Sequence, residues 1–155
     1  MSKIFFLLIL FSFVSLKETK EDYLKATKYC QVNDPLIKAA ASKLKKNTEI
    51  ETAKNIFNAV QKNIKYESYS DTKRGAVKTL LDKKGNCADQ AHLLVALFRA
   101  SGIPARYVHA PGHYWTQCRI GDKIYDCDPT NTKHKFGKRA DDGKKPDRYM
   151  IELKY

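Results

Sequence analysis

The chain has 155 residues, of which 43% are hydrophobic and 30% charged, which fits one globular domain and excludes a collagen-like, coiled-coil or wholly disordered protein. Lys and Arg number 29 against 17 Asp and Glu, a net charge of +12. That charge favours anionic partners, but the lysines are scattered and the one basic run, 133–148, lacks the clustered Arg and interleaved aromatics of a nucleic-acid site, so no specific nucleic-acid partner is expected.

Residues 4–14 read IFFLLILFSFV behind Lys3. The run is shorter than the ~20 residues of a spanning helix and has the length of a signal-peptide core. No small-residue cleavage site follows it. It is read as a signal or membrane-anchoring segment over 1–16, with a buried core element as the alternative, and the folded domain as 17–155. The expected location is therefore secreted or membrane-anchored, on the outer face.

The polar stretch 17–29 reads as a linker or an irregular helix. Asp34 and Pro35 start a helix, one as cap and one in the first turn, with Leu36, Ile37, Ala40, Ala41 and Leu44 as its apolar face. Thr48 and Glu51 have the spacing of a capping box, and Ile50, Ala53, Ile56, Phe57, Val60 and Ile64 then recur at helical period to about Tyr66. A polar loop runs to Arg74. A short helix over 76–81 follows, stopped by Lys83-Lys84-Gly85. Asn86 is the cap of a third long helix, 88–100, which is apolar nearly all round and must be buried on most sides. Beyond Gly102 and Pro104 the pattern shortens to strands at 105–109, 114–120, 123–127 and 149–153, with Gly121-Asp122 as a two-residue hairpin turn. Helices first and strands later predict an α+β fold with an antiparallel sheet.

The four cysteines, Cys30, Cys87, Cys118 and Cys127, include no C-x-x-C pair, so neither a zinc site nor any other metal or cofactor is expected. Cys87 stands at the start of the buried helix, where free backbone amides favour negative charge on a thiolate. A core or disulfide cysteine is the competing reading on location alone. The hairpin changes this. If Ile120 pairs with Lys123, Trp115 faces Asp128 and His113 faces Thr130. His113, Trp115 and Asp128 then share one sheet face. His113 and Asp128 become diagonal neighbours within hydrogen-bond reach. A nucleophilic thiol, a base to take its proton and an acid to hold the base are the parts of a Cys-His-Asp triad. The same register puts Cys118 and Cys127 together on the opposite face, as free core thiols or, alternatively, a cross-hairpin disulfide. Cys30 has no evident chemistry. His92 points away from Cys87, His109 reads as structural and His134 as solvated in the basic tail.

The runs GNCADQAHLL (85–94), GIPARYV (102–108), GHYW (112–115) and YDCDPT (125–130) together resemble the transglutaminase-like superfamily, over about 34–130. The resemblance implies a papain-like core in which the helix bearing Cys87 packs on the antiparallel sheet, with Cys87 as nucleophile, His113 as base and Asp128 as orienting acid. The upstream residues Cys30-Gln31, Asp34-Pro35 and 66–76 are similar to the pseudomurein endoisopeptidase type of methanogen proteins, which implies cleavage of an isopeptide bond in a cell-wall crosslink. Relative to that group, the loop before His113 is short and the wall-binding repeats are absent. The expected function is a thiol hydrolase of peptide or isopeptide bonds, acting through an acyl-enzyme on a peptide or cell-wall polymer, with an anionic surface as a further partner. Acyl transfer to an amine uses the same residues. A non-enzymatic wall- or membrane-associated module would need none of the three. Tyr66 and Asn63 are the candidates for a second oxyanion donor.

Overall fold

The computed structural model describes residues 18–155, and the hydrophobic 4–14 run lies outside them. Among the described residues no helix is long and apolar enough to cross a membrane. The polar stretch before the first helix holds a single 3-10 turn, Glu21–Tyr23. Helix α1 is Pro35–Leu44, and the Asp34 carboxylate accepts from the Leu36 N–H. Helix α2 is Glu49–Asn63, entered through a complete Thr48/Glu51 capping box. Such a cap is worth about 1 kcal/mol. Helix α2 ends three residues short of Tyr66, because Lys65–Tyr66 leaves it as strand β1.

Helix α3 is Gly75–Asp82, closed by Lys83 in the left-handed conformation at φ 53°. The next two residues, Lys84–Gly85, form strand β2, which pairs in parallel with β1. This pairing is absent from the sequence reading. Two residues per strand carry no periodicity, and the pairing joins the segment leaving α2 to the segment leaving α3. Its effect is to set Tyr66 beside Gly85, two positions ahead of Cys87. Gly85 is needed there, since a Cβ on it would lie 2.7 Å from the Asp89 Cβ.

Helix α4, Cys87–Ala100, is buried from Ala88 to Arg99. Helices α1, α2 and α3 pack on one side of it and the sheet on the other. Strands β3 (Ala105–Ala110), β4 (His113–Ile120), β5 (Lys123–Cys127) and β6 (Arg148–Met150) make an antiparallel sheet in the order β5-β4-β3-β6. The hairpin register is as expected, with Ile120 opposite Lys123 and Thr116 opposite Cys127. The last strand is shorter than 149–153 and begins one residue earlier. The protein thus has an α+β core in which the helix begun by Cys87 lies on an antiparallel sheet.

Side chains at 105, 107 and 118 turn toward α4 and join its aliphatic core, and the Thr116 hydroxyl donates to the Ala91 carbonyl of α4. Val108, Ala110 and Trp115 form a second, small cluster, on the opposite face as period two requires. Cys118 and Cys127 are both buried on the α4 side, with their Sγ atoms 4.0 Å apart and unbonded, as the free-thiol reading expected. Cys30 is also buried.

Candidate active site

Cys87 occupies the first position of α4 and is partly exposed. Asn86 caps the helix by accepting from the Asp89 N–H, and its amide donates to the Tyr69 and Asp71 carbonyls. Asp89 is fully buried two residues after Cys87. It accepts from the Tyr69 and Thr72 hydroxyls and from the N–H groups of Lys73, Arg74 and Gly75. Burial opposes its charge, yet these donors hold its carboxyl below the usual range. Through Asp89 and Asn86 the 69–75 loop is tied to the helix start, so the backbone around Cys87 is fixed from outside the helix.

Strand β5 ends at Cys127, so Asp128 is not in the strand. Its carboxylate nevertheless reaches the face carrying His113 and Trp115, and the His113 Nε2–H donates to Asp128 Oδ2 at 2.7 Å. Asp128 is fully buried. Its Oδ1 accepts from the Thr130 hydroxyl at 2.6 Å and the Thr130 N–H at 3.2 Å. Its Oδ2 also accepts from Arg139 Nε at 2.8 Å and faces His134 Nε2 at 3.3 Å. Burial pushes the Asp128 carboxyl up, but His113, Thr130 and Arg139 together hold it well below the normal range.

For His113 the balance runs the other way. Burial disfavours the imidazolium, while bonding to Asp128 and to Cys87 raises its pKa to about 9. With Nε2 committed to Asp128, Nδ1 is the nitrogen left for Cys87. Tyr66 is half exposed beside Gly85, and burial and the charges of Cys87 and Asp128 push its phenol up. Asn63, the other candidate donor, is not brought there, because its amide donates to the Ala59 carbonyl one turn back in α2.

Two residues depart from the sequence reading. His134 is buried, not solvated, and its Nδ1 accepts from the Ala140 N–H. Arg139, read as part of a basic surface run, turns inward and stacks over Trp115 with its Cζ 4.0 Å from the ring centroid. A basic tail has no period, and the sequence carries no signal that separates these two from the neighbouring exposed lysines. His92 points away from Cys87 as expected, with its Nδ1 2.9 Å from the Tyr107 hydroxyl. Burial lowers its pKa to about 3. His109 bonds Asp147 at 2.5 Å on the rim of the sheet. Among the described residues there is no His, Cys, Asp and Glu grouping able to hold a metal ion.

The cysteine that opens the buried helix thus lies against a sheet whose β4 begins with His113, with Asp128, one residue past β5, bonded to that histidine. The family model of the Transglutaminase-like superfamily matches residues 38–129, and the chain belongs to that superfamily. Solved structures of the same fold include a candidate cysteine protease from Cytophaga hutchinsonii, 29% identical with a TM-score of 0.66, the match covering 76% of this chain and 44% of that one. The periplasmic domain of TgpA from Pseudomonas aeruginosa bound to ethylmercury is 20% identical with a TM-score of 0.59, covering 72% and 48% of the two chains. A candidate protease from Parabacteroides distasonis is 17% identical with a TM-score of 0.54, covering 70% and 25%. The chain spans less than half the length of each of these proteins. No curated protein sequence matches it.

Proposed function

We propose that the protein is a thiol hydrolase of peptide or isopeptide bonds, with Cys87 as nucleophile, His113 as base and Asp128 as orienting acid. The observation that carries this reading is a helix-start cysteine next to an imidazole whose far nitrogen is held by a fully buried carboxylate. The likeness to the Cytophaga hutchinsonii candidate cysteine protease supports it.

In this mechanism His113 Nδ1 already holds the proton taken from Cys87 when Sγ attacks the carbonyl carbon. The oxyanion forms beside the Cys87 N–H, which at the first helical position has no intrahelical acceptor. The Tyr66 hydroxyl is the second donor. The imidazolium, favoured by Asp128, then protonates the leaving amine. Water, deprotonated by the same His113, attacks the thioester and releases the acid. A crosslink of a cell-wall polymer outside the membrane is the proposed substrate. It suits a chain of +12 with a hydrophobic run at 4–14.

The test is labelling of Cys87 by a thiol-directed acyl analogue, mapped by mass spectrometry, together with turnover of Cys87→Ala. Labelling confined to Cys87, and loss of turnover with an unchanged melting temperature, are expected. Turnover near the parent level in Cys87→Ala would overturn the assignment. Product analysis with and without an added amine separates hydrolysis from acyl transfer.

A further inference from the structure

We infer that Arg139 is a positioning residue of the Cys87/His113 pair: its guanidinium shares Asp128 Oδ2 with His113 and fixes both the place and the charge of that carboxylate. The inference rests on the thiol reading above. Three features separate this contact from a chance surface ion pair.

The first is the convergence on one atom. Arg139 Nε at 2.8 Å and His113 Nε2 at 2.7 Å meet at Oδ2. Trp115 forms the floor beneath both, since the His113 ring stacks on it at 5.8 Å and the Arg139 guanidinium lies 4.0 Å over it. Trp115 is itself fixed by donating to Asp126 Oδ1 at 2.9 Å. The second is burial. The Arg139 side chain is 10% exposed and Asp128 0%, so solvent does not screen the pair as it would at the surface. The third is that the segment carrying Arg139 is anchored independently of it. Gln61 on α2 donates to the Asn131 and His134 carbonyls, Phe136 stacks on Tyr125, and the Gly137 N–H donates to the Asp126 carbonyl. The backbone therefore delivers Arg139 to Asp128.

The groups facing this carboxylate and imidazole come from every neighbouring element. Cys87 comes from α4 and Tyr66 from β1, while Asp126 on β5 acts through Trp115. His134 and Asp142 come from the tail, and Asp142 accepts from Arg139 Nη2 at 2.6 Å. Arg139 is the permanent cation among them. It offsets part of the Asp128 charge felt by His113, and so limits how firmly the imidazolium keeps its proton. Without Arg139 the carboxylate would be turned entirely to His113, which would then hold its proton to higher pH.

The test reads alkylation of Cys87 by iodoacetate against pH. This anionic reagent is drawn by the imidazolium and loses that attraction when His113 deprotonates, so the alkaline limb reports His113. The other three cysteines are buried, and mapping by mass spectrometry confines the reading to Cys87. For Arg139→Gln the alkaline limb is expected to move up by about half a pH unit or more, so that at a fixed pH on that limb the alkylation rate rises by about threefold or more. Arg139→Lys, which keeps the charge, should keep the parent limb. An unmoved or lowered limb in Arg139→Gln, with or without a lower melting temperature, would overturn the inference. If Arg139→Gln does not fold, Arg139→Met, which keeps hydrocarbon over Trp115, carries the same comparison. Failure of both to fold beside a folded Arg139→Lys would make Arg139 a strut, and overturns it too. A parent protein with no alkaline limb would remove the thiol reading itself, and this inference with it.

Discussion

Replacing Asp128 by Asn is the sharpest probe of the site, because four hydrogen-bond donors converge on its two oxygens. The Thr130 hydroxyl and N–H point at Oδ1, and His113 and Arg139 at Oδ2, with His134 Nε2 close by at 3.3 Å. An amide offers one acceptor oxygen and one donor group. If its oxygen faces His113, its NH2 meets the Thr130 N–H. If it is turned the other way, its NH2 meets His113 and Arg139. Neither orientation satisfies the pocket.

The loss of charge adds to this. His113 sits at about 9 because Asp128 and Cys87 outweigh burial, and its ordinary value is 6.5. Without the carboxylate, burial lowers it to that value or below. That difference takes His113 at neutral pH from almost fully protonated to mostly neutral, a drop of about fourfold or more in the population that holds the thiol proton. Iodoacetate alkylation of Cys87 at neutral pH should therefore slow by about that factor. The melting temperature should fall by about 6–12 °C, from about 3 kcal/mol for an unpaired buried Arg139 at 2–4 °C per kcal/mol. An alkylation rate within about threefold of the parent's would refute the assignment of Asp128 as the group that holds His113.

Other outcomes follow from the same contacts. Stability should decline on both sides of neutrality, and the sign differs for the two histidines. His92 is depressed to about 3 from 6.5 by burial, so the unfolded chain binds the extra proton and stability falls as pH drops from about 6.5 toward 3. His92→Phe should flatten the melting curve series between about pH 6.5 and 4.5, and an equally steep acid decline would count against that role. His113 is raised to about 9, so its contribution is complete below about 6.5 and is lost as pH rises through about 9. Gly85→Ala should destabilise by about 1–3 kcal/mol, since its Cβ would lie 2.7 Å from the Asp89 Cβ, and a denaturant midpoint equal to the parent's would argue against that contact. Neutralising the exposed Lys133, Lys135, Lys138 and Lys144 should weaken retention on an anionic polymer while sparing Cys87 labelling. That retention should fall with salt, as screening over a Debye length of about 8 Å requires, and salt-indifferent binding would remove the field-based account.

Much of the architecture is local and therefore legible in the sequence. The Asp34-Pro35 start, the Thr48/Glu51 box and the Asn86 cap each satisfy backbone donors within three residues. The largely apolar 88–100 run reads as a central helix, and Gly121-Asp122 sets the hairpin register that points His113 and, one residue past β5, Asp128 toward each other. Those features place the candidate triad residues without any long-range information.

What the sequence alone did not determine is what surrounds the triad. The β1–β2 pair that sets Tyr66 beside Gly85 and the Asp89 clasp on the 69–75 loop join separate elements, and the inward turn of His134 and Arg139 folds the tail back onto Asp128. None has a period or a local partner to announce it. A buried carboxylate needs every donor it can gather, and which donors reach Asp128 depends on how the 131–139 segment is pinned across α2 and β5, a matter of three-dimensional packing.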